Sequence, residues 1–289
     1  VAARVRQWAD FQPLVAIQSG QGGYAPVFCL PGAGDSVTRF IGLAEALGSE
    51  WPVYGLQSRG LDAAAPPHSS IEAAAACHVR AIEALHPHGP LNLVGHSFGG
   101  WVAHAVAVRL QAQGREVRSL TLIDSEAPGS DSVCGRPYTA TAALQRLIES
   151  LQLSSGRDLQ LDRDAFAALD DAQQLSTLHQ AMVRVGLMPA RSSLQALQGI
   201  ARTFASALRT PYLAPGVYSG PVSLVLVADA TLDADQREQA AMQAGWQRVL
   251  PQLTLWHGPG NHYSILKTPE VFSLAAWWHD GQRLVRVTP

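Results

Sequence analysis

The chain has 289 residues, 47% hydrophobic and 15% charged, enough apolar content for one large α/β domain or two ordinary ones. A formal charge of −2 gives no electrostatic case for nucleic acid or an anionic membrane surface. No run approaches the roughly eighteen apolar residues of a membrane span, no signal peptide opens the chain, and Cys29, Cys77 and Cys134 are too scattered for a disulfide framework or a zinc site.

These exclusions make a monomeric protein of a reducing cytoplasm, without metal or bound cofactor, the expectation. Val1–Tyr24 has no clear period and ends in glycine-rich SGQGGY, as a linker with a first, edge segment would. Its start at Val1 rather than methionine suits a processed chain or a domain cut from a longer one. Pro26–Pro31 reads as a buried strand, followed by a flexible Gly32-Ala33-Gly34-Asp35 turn. Val37–Leu47 has helical apolar spacing, and Trp51–Leu56 is a second strand. After a Pro/Ala/Gly loop over Ser58–His68, Ser69 stands three residues before Glu72, a capping-box pattern that opens a helix to about Leu85. Leu91–Val94 is a short apolar strand, Phe98 to about Gln113 an amphipathic helix, and Val117–Asp124 a strand that ends in an acid.

Strands alternating with helices predict a parallel sheet covered on both faces, with right-handed crossovers. The alternation then stops. Residues 128–214 hold no convincing strand but four helical segments, near Ala142–Leu151, Asp164–Leu169, Ala172–Val185 and Leu194–Leu208. An insertion placed after a strand end would sit over the sheet edge as a lid. The sheet resumes at Pro221–Ala228; a helix over Asp235–Val249, a strand at Leu253–Trp256, a loop from His257 to His262 and a helix at Pro269–Trp278 complete the chain. The expected division is a segment 1–24, a core of 25–127 and 215–289, and a helical lid of 128–214.

The chemistry centres on Gly95-His96-Ser97-Phe98-Gly99, a G-x-S-x-G match between a strand and a helix. A hydroxyl presented above a sheet needs a sharp, strained turn, and glycines two before and two after it avoid a clash. A serine hydroxyl is a poor nucleophile at neutral pH, so it needs a base, and the base needs an orienting acid. His257 and His262 follow the last strand; His262, in GPGNHYS, is the better placed to reach back over the sheet. His96 and His104 lie close to Ser97 in sequence but approach it wrongly. The other histidines read as surface or structural. Asp124 and Asp229 both end strands at the ligand-binding edge of a parallel sheet, and spacing alone does not choose between them. Phe98 and Ala33 are the candidate oxyanion donors, one after the nucleophile and one in the turn after the first core strand.

These residues give the chain a resemblance to the thioesterase domains that end nonribosomal peptide synthetase assembly lines, over nearly all of Pro26–Trp278. The marks are FCLPGAG (Phe28–Gly34), YGLQSRGLD (Tyr54–Asp62), the run from Ser70 to Ala103 around GHSFG, LTLIDSEAP (Leu120–Pro128), YLAPGVYSGPVSL (Tyr212–Leu224), Gly245-Trp246 and GNHYSIL (Gly260–Leu266). The resemblance implies an α/β-hydrolase fold with a helical lid. It implies attack by Ser97 on a thioester carried by the phosphopantetheine arm of a peptidyl carrier protein, with release by hydrolysis or cyclisation. It also implies that the acid is Asp124; stand-alone editing thioesterases usually place it one strand later, nearer Asp229. An editing thioesterase or a small-ester hydrolase is the competing expectation, and a catalytically dead docking module a third. The chain departs from the pattern at Gly32, where many relatives have a second proline, and at His96, where tryptophan is frequent.

Overall fold

The computed structural model describes residues 11–129, 134–214, 216–227, 233–250 and 252–284. Its strands are β1 (Leu14–Gln18), β2 (Val27–Leu30), β3 (Val53–Leu56), β4 (Leu91–His96), β5 (Val117–Ile123), β6 (Val222–Leu226) and β7 (Leu253–His257). They form one seven-stranded sheet in the order β1-β3-β2-β4-β5-β6-β7. β1 runs antiparallel to β3, and every other pairing is parallel. The edge segment expected within the first 24 residues is Leu14–Gln18, which closes one edge of the sheet, half-buried at Leu14, Ile17 and Gln18 and exposed at Val15 and Ala16.

The helices of the core are α1 (Ile41–Leu47), α2 (Ile71–Leu85), α3 (Phe98–Ala112) and, beyond the insertion, α8 (Asp233–Gln247) and α9 (Glu270–Leu284), with a 3-10 turn at Val37–Phe40 ahead of α1. They divide between the faces of the sheet. Phe28, Leu91, Leu93 and Leu122 pack with Ile71, Ala103, Val106 and Trp246 of α2, α3 and α8. Val27, Cys29, Val94 and Ile123 pack with Leu43, Val271, Leu274 and Trp278 of α1 and α9. Covered on both faces, β4 is buried at every position, which is why it is written as an apolar run rather than an alternation. At the start of α2 the N-cap is Ser70, one residue later than the expected Ser69: its hydroxyl accepts from the Ala73 amide. The shift places Ile71, 1% exposed, as the first helical residue against the core. No disulfide forms among the cysteines. Among the described residues no helix is long and apolar enough to cross a membrane.

Between β5 and β6 lie α4 (Ala140–Ser155), α5 (Arg163–Ala167), α6 (Asp171–Arg184) and α7 (Leu194–Arg209). Thr139, Asp162, Asp170 and Ser193 cap them in turn, Asp170 within a capping box with Gln173. They have a hydrophobic cluster of their own, built on Leu147, Leu159, Phe166, Leu178, Leu197 and Leu208. This layer rests on the core at named points. Phe204 of α7 fills the space above Gly34, where a Cβ would stand 2.8 Å from the phenylalanine Cβ. Lys267 donates to the Ser154 carbonyl at 2.6 Å. By Tyr212 the chain has rejoined the core, where the phenol meets Nδ1 of His104 at 2.7 Å.

His104 is fully buried in α3, and burial lowers its pKa from 6.5 to about 4; burial likewise lowers His78, on α2, to about 3. Between those values and 6.5 the unfolded chain binds protons that the folded one does not. Stability is therefore intact above pH 6.5 and falls on acidification, by up to about 1.4 kcal/mol per pH unit for each such group. His104→Gln, which cannot titrate, is expected to lose about 1–2 kcal/mol less than the wild type between pH 7 and pH 5, measured by urea unfolding.

Candidate active site

β4 and α3 meet at Ser97, whose backbone takes φ 54° and ψ −128°. This is a costly conformation for a residue with a Cβ, and it is held from both sides. The Ser97 amide donates to Ile123 O at 2.9 Å, and its carbonyl accepts from the Gly100 amide at 2.9 Å. The flanking glycines have no room for a side chain. A Cβ on Gly95 would stand 2.5 Å from Gly99 O, and one on Gly99 would fall 2.5 Å from Pro31 O and against Leu30 O. These obstacles are backbone atoms of α3, β2 and the residue after β2, which cannot rotate away. Gly99→Ala is expected to cost about 3 kcal/mol or more, as overpacking against a rigid wall, read as a fall in the unfolding midpoint.

The turn after β2 runs against the serine: a Cβ on Gly32 would be 3.3 Å from Ser97 Cβ, and Gly34 has φ 64°. Ala33 lies between them, and Phe98 is the first residue of α3, where amides lack intrahelical partners. Both line the same cavity as Ser97.

Asp124 follows β5 with φ 44°, its amide donating to Val225 O at 2.8 Å. Its side chain is 8% exposed, and Oδ2 accepts from Nδ1 of His262 at 2.6 Å. Oδ1 has no partner among the described residues. His262 stands on a turn between β7 and α9. Asn261 Oδ1 accepts from the Tyr263 amide at 2.9 Å, and Ser264 Oγ accepts from the Asn261 amide at 3.0 Å. Buried Ile265 and Leu266 anchor the far end of the turn. The other candidate base, His257, is the exposed last residue of β7. The other candidate acid, Asp229, lies outside the described residues.

Ser97, Asp124, His262, Ala33 and Phe98 all line one cavity of about 600 Å³ between the core and the helical layer. Ser97 and His262 face it together but are not hydrogen-bonded to each other. Trp101, Leu153, Phe204, Leu208 and Met242 supply apolar wall. The ion pairs Asp35–Arg39 and Arg146–Glu149, with Glu126 and Glu238, supply charge. Sequence reading did not single out these charged residues. Along their own segments they look like solvated positions, and only the seating of α4 brings Arg146 and Glu149 to the cavity that Ser97 lines. Among the described residues no three His, Cys, Asp or Glu side chains are grouped as metal ligands.

A seven-stranded, mostly parallel sheet with helices on both faces, a serine on a strained strand-to-helix turn and a helical insertion above it define an α/β-hydrolase. The thioesterase domain model matches residues 25–277, and the chain belongs to that family of hydrolases. It is similar to indigoidine synthase of Dickeya dadantii, 27% identical over 91% of this chain and 17% of that protein. Among solved structures it is similar to holo-AB3403, a four-domain nonribosomal peptide synthetase, at a TM-score of 0.78 and 22% identity, covering 100% of this chain and 21% of that one. It is also similar to the Vlm2 thioesterase domain, at a TM-score of 0.64 and 22% identity, covering 92% and 96% respectively. The match covers only a small part of such relatives, 17% of indigoidine synthase and 2% of malpibaldin synthetase of Mortierella alpina.

Proposed function

We propose that the chain is a chain-terminating thioesterase that releases a peptidyl or acyl group from the phosphopantetheine arm of a carrier protein through an acyl-enzyme on Ser97. The observation that carries this reading is the 2.6 Å bond from His262 to Asp124 at the wall of the cavity that Ser97 also lines. His262 Nε2 takes the Ser97 proton as Oγ attacks the thioester carbonyl. The tetrahedral oxyanion receives the N–H groups of Phe98 and Ala33. The C–S bond then breaks, and the proton on Nε2 passes to the departing pantetheine sulfur. This leaves an ester on Ser97. A second nucleophile, water or an amine or hydroxyl of the same chain, gives its proton to His262 and attacks the ester, and Ser97 Oγ recovers the proton. Water yields a linear acid; the internal group yields a ring. No metal or bound cofactor takes part, since the pantetheine belongs to the substrate. The layer α4–α7 acts as the lid that shapes the chain and limits water. The apolar wall beside paired charges suits a peptide more than a plain fatty chain. Holo-AB3403 is a four-domain nonribosomal peptide synthetase of which this chain matches 21%, which supports a carrier domain in the same polypeptide as the partner.

The competing reading is an editing thioesterase or a small-ester hydrolase. The contact of His262 with Asp124, after the strand next to the serine turn, favours the chain-terminating form. The test is mass spectrometry of products from peptidyl N-acetylcysteamine thioesters, with peptide mapping of a fluorophosphonate adduct. A modified Ser97 with linear or cyclic peptide products is expected. Turnover of simple esters or short acyl groups with none of peptidyl thioesters would overturn the proposal, as would a fluorophosphonate that fails to react.

A further inference from the structure

β4 ends in His96, immediately before the nucleophile, and the reaction above gives it no part. Side chains two apart on a strand share a face, so His96 lies with Val94 on the side of the sheet packed by α9 and by Ile265 and Leu266, just beyond His262. Its ring is 2% exposed and its centroid is 4.7 Å from that of His262. Nε2 is 3.0 Å from the main-chain oxygen of His262. A carbonyl only accepts, so Nε2 carries the hydrogen. Nδ1 is buried without a partner among the described residues, and a Cβ on Gly32 would meet it at 3.5 Å. Burial, helped by the charges of His262 and Arg39, keeps the ring neutral and well below the ordinary histidine pKa. Its single proton is therefore already committed to the His262 carbonyl, and the ring has none to give to the reaction.

We propose that His96 is a positioning residue for the base: its Nε2–H holds the main chain of His262 so that the ring bound to Asp124 presents its free nitrogen towards Ser97. The inference rests on the serine thioesterase reading above. Asp124 restrains the ring, Asn261 and Ser264 close the turn, and His96 takes the remaining point, the carbonyl of the histidine itself. A loop histidine whose side chain is 33% exposed needs such a tie, because a displacement of about 1 Å at a reacting group can cost 10²-fold in rate.

The side-chain amides distinguish this role from space filling. The Nε2 of glutamine reaches the place of the histidine Nε2; the asparagine amide reaches only the place of Nδ1. The experiment measures the single-turnover rate of Ser97 acylation by a peptidyl N-acetylcysteamine thioester, with its KM, for wild type, His96→Gln, His96→Asn and His96→Leu. The asparagine and leucine variants are expected to acylate on the order of 10- to 100-fold more slowly at unchanged KM, and the glutamine variant near the wild-type rate. Equal rates in all variants, or a glutamine variant as slow as leucine, overturn the proposal. If the variants do not fold, ¹⁵N NMR of the wild-type histidines decides. His96 protonated at Nε2 supports the proposal, and His96 protonated at Nδ1 overturns it. Ser97→Ala run in parallel separates the two ideas. Acylation that survives there, or is absent from the wild type, refutes the serine reading, while the His96 tautomer still judges the tie.

Discussion

Ser97→Ala is expected to lower thioester release about 10⁶-fold, with thioester binding and folding stability near wild type. The variant removes only Oγ, which caps no helix residue. The strained backbone keeps its two anchoring hydrogen bonds, and alanine keeps the Cβ that already sits beside Gly32. What disappears is the atom that forms the ester in the proposed mechanism. The residual rate would come from donors and binding groups acting on water directly. Thiol release monitored with a disulfide reagent, together with the mass of intact protein after rapid quenching, checks both parts. Wild type should gain the mass of one acyl group, and the variant none. Release within tenfold of wild type would sink the acyl-enzyme mechanism.

Asp124→Asn is expected to lower kcat about 10⁴-fold with little change in KM, by analogy with the same change in serine hydrolases of other folds. The carboxylate can only accept, so it holds His262 with the proton on Nδ1 and leaves Nε2 free, the atom that takes the serine proton in the proposed mechanism. An asparagine amide can turn its donor towards Nδ1, which moves the ring proton to Nε2 and removes the base. It also withdraws the charge that stabilises the imidazolium formed during attack. Because the side chain is 8% exposed, little water reaches the pair to substitute for that charge. The paired control is Asp229→Asn, expected to leave kcat near wild type. Steady-state kinetics on one thioester compares them. Loss of activity in the Asp229 variant, with Asp124→Asn active, would reverse the assignment and favour the editing thioesterase.

Much of the core was legible because its signals are local. β4 is apolar throughout since both its faces are covered, and GHSFG is short enough for the need for Gly95 and Gly99 to be seen within the motif. The edge strand Leu14–Gln18 was legible only as an undefined edge segment, because one antiparallel neighbour leaves it half exposed and without a clean period. The cap of α2 slipped by one residue, from Ser69 to Ser70. Both serines can cap, and the choice was made by burying Ile71, a tertiary demand.

The site divides in the same way. Residue order alone pointed to Ser97 as the candidate nucleophile, to the strand-to-helix turn that presents it, to the glycines that make room for it and to a short set of candidate partners: His257 or His262, Asp124 or Asp229. These come from residue type and from neighbours within a few positions. It took the folded chain to show that Nδ1 of His262 meets Asp124 from 138 residues away, that α4 and α7 bring Arg146, Glu149 and Phe204 to the cavity that Ser97 lines, and that Nε2 of the buried His96 meets the main-chain oxygen of His262. Those contacts join β4, β5, the insertion and the loop after β7. They depend on sheet order and on how the inserted helices seat above it, which no local pattern in the chain encodes.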